Sequence, residues 1–135
     1  MAMMHEDITG LVETLIAETT DMTAFTKQPA AMDDPDGLAE RLTTMNVFLA
    51  RSGEIYATAK LLLTEQTAQI YAVLGEELRA MKATEARRIV NEKTRRTDFL
   101  IDLSERLNHN LVHEGNNIRR QLQYLGDQMR AMPST

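Results

Sequence analysis

Apolar residues first recur at helical spacing near the start of the chain. Between Glu6 and Lys27 they describe an amphipathic helix with a narrow apolar face. Its members are Ile8, Leu11, Val12, Leu15, Ile16, Met22 and Phe25. The residues between them are largely acidic or small, so we predict that this helix packs on one side only.

The next segment, residues 28–36, has two prolines and three aspartates, a composition that disfavours helix. Asp34 followed by Pro35 is typical of an N-cap and a first helical position. We therefore predict an N-terminal helical arm over residues 1–30 and a linker over residues 31–37.

The helix after the linker has the clearest pattern in the sequence, because its apolar or small residues alternate at intervals of four and three. They are Leu38, Leu42, Met45, Leu49, Ser52, Tyr56, Ala59, Leu63, Gln66, Ile70 and Val73. A repeat of 3.5 residues is typical of helices packed along a seam. Ser52, Ala59 and Gln66 are small or polar positions that favour a specific register or a close helix approach. We call this predicted helix, the second of the chain, α2, and these eleven positions the α2 seam.

A second long helix is predicted near the C-terminus, after a turn between Met81 and Glu85. Thr84 is its expected N-cap, and Pro133 is expected to end it at about Met132. Its apolar stripe consists of Leu100, Leu103, Leu107, Leu111, Ile118, Leu122, Leu125 and Met129.

The predicted fold is therefore a single all-α domain, with a long antiparallel helical hairpin over residues 38–132. Two helices enclose little interior, and small domains leave much of their surface exposed. We therefore expect a helical-bundle homo-oligomer that associates through the α2 seam.

Charge is distributed unevenly over the 135 residues. The net charge is −5, and the acidic side chains dominate residues 1–54, whereas bases are in slight excess over residues 55–135. An acidic chain is poorly suited to extended nucleic-acid binding through phosphate neutralisation. The chain has no cysteine, and neither a signal peptide nor a membrane span is recognisable, so we expect a cytoplasmic protein without a membrane partner.

Catalytic motifs of small helical enzymes are missing from the sequence. There is no Glu-x-x-Glu or Glu-x-x-His pair, no phosphate-binding glycine loop and no nucleophile elbow. His109 and His113 lie four residues apart, with Glu105 one turn earlier, but this spacing alone is a weak zinc signal. We predict a protein that is not an enzyme and has neither metal nor cofactor.

Six polar residues of the last helix form the most informative candidate site, which we call the polar stripe: Arg106, Asn110, His113, Asn117, Arg120 and Tyr124. They repeat at four and three, so they share one helix face, which we place beside the apolar stripe. Asparagine is a poor helix former, and the asparagines crowded here favour buried polar hydrogen bonds. Guanidinium, amide, imidazole and phenol groups together suit a nucleotide; the alternative is a polar subunit interface.

A basic cluster precedes the polar stripe and comprises Arg79, Lys82, Arg87, Arg88, Lys93, Arg95 and Arg96. Arginines at a helix–helix turn can bind phosphate in a bidentate manner. We expect Arg95 and Arg96 to assist the polar stripe in ligand binding. The alternatives are a solvated turn, or a docking site for the acidic N-terminal helix of the same or a neighbouring subunit.

Two segments resemble a group of small helical proteins encoded by tailed bacteriophages. They are MNVFLARSGEIYATAK at residues 45–60 and DLSERLNHNLVH at residues 102–113, followed by Ile118-Arg119 and Leu122 to Leu125. The resemblance covers most of residues 45–130 and implies a phage setting in a host cell.

The expected function is therefore that of a phage protein that sequesters an anionic ligand, a nucleotide immune signal, against host defence. One alternative is a protein–protein interaction module acting on a host or phage protein. The other is an accessory to phage single-strand DNA recombination.

Overall fold

The computed structural model describes residues 5–132 and is all-α, as predicted. Its helices are α1 (His5–Thr26), α2 (Pro35–Arg79), α3 (Ala83–Lys93) and α4 (Arg95–Ala131). The connection between α1 and α2 covers residues 27–34 rather than the predicted 31–37, because α1 ends at Thr26 and α2 begins at Pro35 with Asp34 in the N-cap position. Pro133, predicted to end the last helix, lies outside the described residues.

The three long helices form one elongated bundle. α2 and α4 make an antiparallel hairpin, and α1 packs against both. α1 runs antiparallel to α2, because Arg41 reaches Thr26 at the end of α1 while Arg51 reaches Glu18 further back. All three helices contribute to one core, whose buried members are Ile8, Val12, Leu15, Ile16, Met22, Leu38, Met45, Ile55, Ala59, Leu62, Leu100, Leu107, Leu111 and Ile118.

The α2 seam is packed inside the chain. Every seventh position of the repeat is buried, namely Leu38, Met45, Ser52, Ala59 and Gln66. The repeat fails only towards the end of α2, where Val73 is 79% exposed. Because α1 and α4 already cover the seam, an oligomer that used it would have to open the hairpin. The seam is thus observed as a contact within the chain, and association of several copies through it stays a prediction.

The polar seam positions fix the register of the hairpin through hydrogen bonds. Ser52 Oγ accepts a bond of 3.0 Å from Asn108 Nδ2, and Thr97 Oγ1 donates one of 2.6 Å to Gln66 Oε1. Ser52 keeps its own bond to the Leu49 carbonyl in any register, but a shifted register would leave the fully buried Thr97 hydroxyl unpaired at a cost of about 1–3 kcal/mol.

The predicted last helix is divided in two at Thr94, and its N-cap is not Thr84. α3 begins at Ala83, after Lys82 in the cap position. Thr94 leaves the helical conformation and separates α3 from α4, although its backbone still bonds to Val90 and Asp98 at 3.0 Å. Its buried hydroxyl contacts the Asp98 carboxylate at 3.1 Å.

The hairpin extends beyond the three-helix core. In α2 the core cluster ends at Leu62, and Ile70 and Leu78 are buried outside it. α3 packs back on this end but buries none of its residues. The molecule is thus three helices thick along most of its length and thinner at the end that carries α3.

Candidate functional site

The polar stripe lies on the solvent-exposed face of α4. All six side chains are exposed, and Tyr124 is 55% exposed. The polar stripe borders the apolar stripe, since Arg106 and Asn110 adjoin the buried Leu107 and Leu111 in the chain, but it lies on the solvent side of that border. The pattern correctly predicted that the six residues share a face, but not that this face points to solvent.

Four side chains of the polar stripe have no hydrogen-bond or ion-pair partner within residues 5–132: Asn110, His113, Asn117 and Arg120. The other two are only lightly engaged. Arg106 donates to the carbonyl of Asp102 at 3.4 Å, and Tyr124 accepts from Gln128 at 2.8 Å. The stripe therefore presents uncommitted donors to whatever contacts this face.

The asparagines near the polar stripe are not buried together, contrary to expectation. Asn108 alone reaches the hairpin interior, where it contacts Ser52. Asn116 accepts from Arg119 on the surface at 3.2 Å, and Arg119 also reaches Asn46 of α2. The propensity cost of Asn110 and Asn117 is thus not offset by hydrogen bonds in the described part of the chain.

The polar stripe is long and open rather than concave. From Arg106 to Tyr124 it extends along about 27 Å of helix, at 1.5 Å per residue. Small-molecule sites are usually concave and bury most of their ligand. One copy of this chain supplies the donors of such a site but no opposing wall.

A cleft of about 300 Å³ lies elsewhere, between the linker and the beginning of α2. Phe25, Pro29, Ala30 and Leu38 give it an apolar lining, and Asp34 and Glu40 are the acidic groups at its edge. None of the polar-stripe residues lines it. Arg41 also lines the cleft, but its guanidinium is already paired with Glu114, so the two acidic groups disfavour an anion there.

The basic cluster is largely solvated, and the part nearest the bundle binds α1. Arg96 donates to both carboxylate oxygens of Glu13, at 2.8 and 2.9 Å. This bidentate contact lowers the pKa of Glu13 and raises that of Arg96. Docking of the acidic N-terminal helix of the same chain, one of the predicted alternatives, is thus observed at Arg96.

Arg95 and Arg96 are not brought together with the polar stripe. Arg95 is exposed at the beginning of α4, about 16 Å along the helix axis before Arg106, and Arg96 is engaged by Glu13. Their assistance in ligand binding stays a prediction for Arg95. For Arg96 it would require the contact with α1 to break.

Sequence reasoning missed Arg41, which joins three helices. Its Nε and Nη2 donate to Oε1 of Glu114 on α4, at 3.0 and 2.7 Å, and Nη2 also donates to the carbonyl of Thr26 at 3.2 Å. The guanidinium lies 4.9 Å from the ring centroid of Phe25. α1 has no base in its last turn, so Arg41 supplies the cation that a helix C-terminus favours.

Two further classes of site were sought in the described residues. No group of three or more histidine or acidic side chains is arranged to hold a metal ion there. No helix of residues 5–132 combines the length and apolar character needed to cross a bilayer.

Comparison with known proteins adds no identification. No protein-family model matches the chain, and the searches of curated proteins and of solved structures also gave no match.

Proposed function

We propose that the protein is a non-catalytic interaction module that binds another protein through the polar stripe. The observation that carries this proposal is the row of four uncommitted donors, Asn110, His113, Asn117 and Arg120, on one open helix face. An open face of about 27 Å suits an extended partner surface better than a small molecule, which needs a concavity.

Electrostatics favour an acidic partner surface. Arg106 and Arg120 are the two charged residues of the stripe, and both are positive. The carboxylate of Glu114, on the same helix, is already paired with Arg41 and does not offset this charge at the stripe. The resemblance to tailed-phage proteins supports a partner from the phage or its host.

Site-specific photocrosslinking in cells that produce the protein would test this proposal. A photoreactive residue at Asn117 should yield one discrete protein adduct. Arg120→Ala should abolish it, because the change removes charge and donors one turn away. Arg130→Ala is the matched control, since its side chain is 73% exposed on the same helix but off the stripe. An adduct that persists with Arg120→Ala would contradict the proposal.

The second candidate is capture of a small anionic ligand of the nucleotide class, which would serve to sequester an immune signal of the host. The mixture of guanidinium, amide, imidazole and phenol groups favours it, because these groups suit phosphates and base edges. A second copy or another wall would have to enclose the ligand.

A thermal-shift screen with cyclic di- and trinucleotides separates the two candidates. A ligand present at about 100 times its dissociation constant stabilises the folded chain by about 2.7 kcal/mol. The shift should vanish with Arg120→Ala and persist with Arg130→Ala. If no nucleotide shifts the melting temperature, the second candidate fails while the interaction module is unaffected.

A further inference from the structure

α2 carries a second repeat on the side that faces solvent. Its exposed positions alternate at intervals of three and four, back to back with the α2 seam. We call them the outer stripe: Thr43, Val47, Ala50, Glu54, Ala57, Leu61, Thr64, Ala68 and Tyr71. Val47, Leu61 and Tyr71 are 62%, 72% and 52% exposed. A solvated helix face needs no such apolar period, whereas a helix that packs on both sides does.

We propose that the outer stripe is the contact surface of an antiparallel homodimer, whose two-fold axis crosses α2 at the level of Ala59. Counted from Ala59 in either direction along α2, the positions of the outer stripe between Val47 and Tyr71 come at the same intervals. Residues equally far from it face each other, so Leu61 of one copy lies opposite Ala57 of the second, and Val47 lies opposite Tyr71.

The residue order favours this antiparallel pairing because large side chains meet smaller ones. Leu61 opposite Ala57 and Tyr71 opposite Val47 allow the helices to interdigitate. Ala50 lies opposite Ala68, which permits a close approach. The symmetric part of the stripe, from Val47 to Tyr71, extends along about 36 Å of helix, more than three heptads, which is long enough for a two-stranded helical contact.

Charge distinguishes the antiparallel arrangement from a parallel one. A parallel dimer would place Glu54 against Glu54 of the second copy, with like charges in the middle of an apolar contact. The antiparallel dimer places Glu54, whose carboxylate accepts from Arg51 of its own chain at 3.1 Å, opposite the uncharged Thr64. It also brings Glu54 within one helical turn of Lys60 of the second copy.

The proposed contact leaves the rest of the molecule as it is. The α2 seam stays covered by α1 and α4, and the polar stripe of α4 is not used. The dimer is therefore independent of the proposed function, and either can fail without the other.

Solution mass is the first test. Light scattering on the full chain should give twice the chain mass of 15.3 kDa, and Leu61→Glu should return the mass to that of one chain with unchanged helicity. Val73→Glu is the matched control, because Val73 is 79% exposed on α2 but lies off the outer stripe. A wild-type chain that stays monomeric at high micromolar concentration would overturn the proposal.

Engineered disulfides test the orientation, since the chain has no cysteine of its own. Ala50→Cys combined with Ala68→Cys should give a covalent dimer, because these positions face each other across the antiparallel contact. They are about 27 Å apart within one α2, too far for an intramolecular bridge. Ala50→Cys alone should stay uncrosslinked; a covalent dimer of that single variant would indicate a parallel contact and overturn the proposed arrangement.

Discussion

Removal of the Arg41 guanidinium should loosen α1 and α4 from α2 together. Arg41→Met keeps an apolar stem near Phe25 but removes every polar contact of the side chain. The side chain of Arg41 is only 10% exposed, and that of its partner Glu114 is 28% exposed. The carboxylate left behind by the substitution is therefore partly, but not fully, able to rehydrate.

The size of the effect follows from this partial burial. Breaking a fully buried ion pair by removing one partner costs about 3–5 kcal/mol. Because Glu114 retains some exposure, we expect Arg41→Met to lower the free energy of unfolding by about 2–3 kcal/mol, which includes the lost bond to Thr26. Charge-assisted hydrogen bonds contribute about 1.5–3 kcal/mol, so the coupling between Arg41 and Glu114 should fall in that range.

A double-mutant cycle measured by urea denaturation gives this coupling directly. The variants are Arg41→Met, Glu114→Gln and the pair. The matched cycle uses Arg51→Met and Glu18→Gln, because Arg51 and Glu18 are 41% and 37% exposed and exposed pairs contribute at most about 1 kcal/mol. If the Arg41–Glu114 coupling is no larger than that of the exposed pair, the assigned role of Arg41 is wrong.

Three further changes test other parts of the bundle. Gly10→Ala should raise the unfolding free energy by about 1 kcal/mol in a thermal melt, because a Cβ there meets nothing within 4 Å; no gain would argue against a helical Gly10. The hydrogen-bonded Arg51 lowers the pKa of Glu18 below its ordinary 4.5. The contribution of the Arg51–Glu18 ion pair to the free energy of unfolding is therefore present above pH 4.5 and is lost as the pH falls through the lowered pKa. The stability difference between wild type and Glu18→Gln should accordingly shrink on acidification, and a constant difference would refute this. Thr97→Val should lower the free energy of unfolding, measured by urea denaturation, by about 1–3 kcal/mol, because it leaves Gln66 Oε1 unpaired. The double variant Thr97→Val, Gln66→Met should lose less than the sum of the losses of the two single variants.

The sequence predicted the helices well, because their boundaries depend on local signals. The linker with Pro35 and the seven-residue spacing of Met45, Ser52 and Ala59 are readable without tertiary information. The division at Thr94 was not, since the sequence pattern continues through it and only the backbone conformation of this one residue departs from the helix.

The candidate site was predicted less completely, for a different physical reason. Periodicity shows that Asn110, Asn117 and Arg120 share a face of α4, but the width of the buried face depends on how α1 and α2 pack. The role of Arg41 could not be predicted from the sequence, because its partners Thr26 and Glu114 lie 15 and 73 residues away along the chain. Such contacts leave no local signature.

The lack of buried residues in α3 has a consequence for the way the molecule opens. Local unfolding costs little free energy where few buried apolar side chains become exposed to water. None of the residues of α3 is buried. Residues 83–93 can therefore open while the core around Leu107 stays intact. A protease that cuts after Arg87 or Arg88 should cleave the native protein there first. The two fragments should remain associated, because α1, α2 and α4 keep the contacts that hold the bundle together.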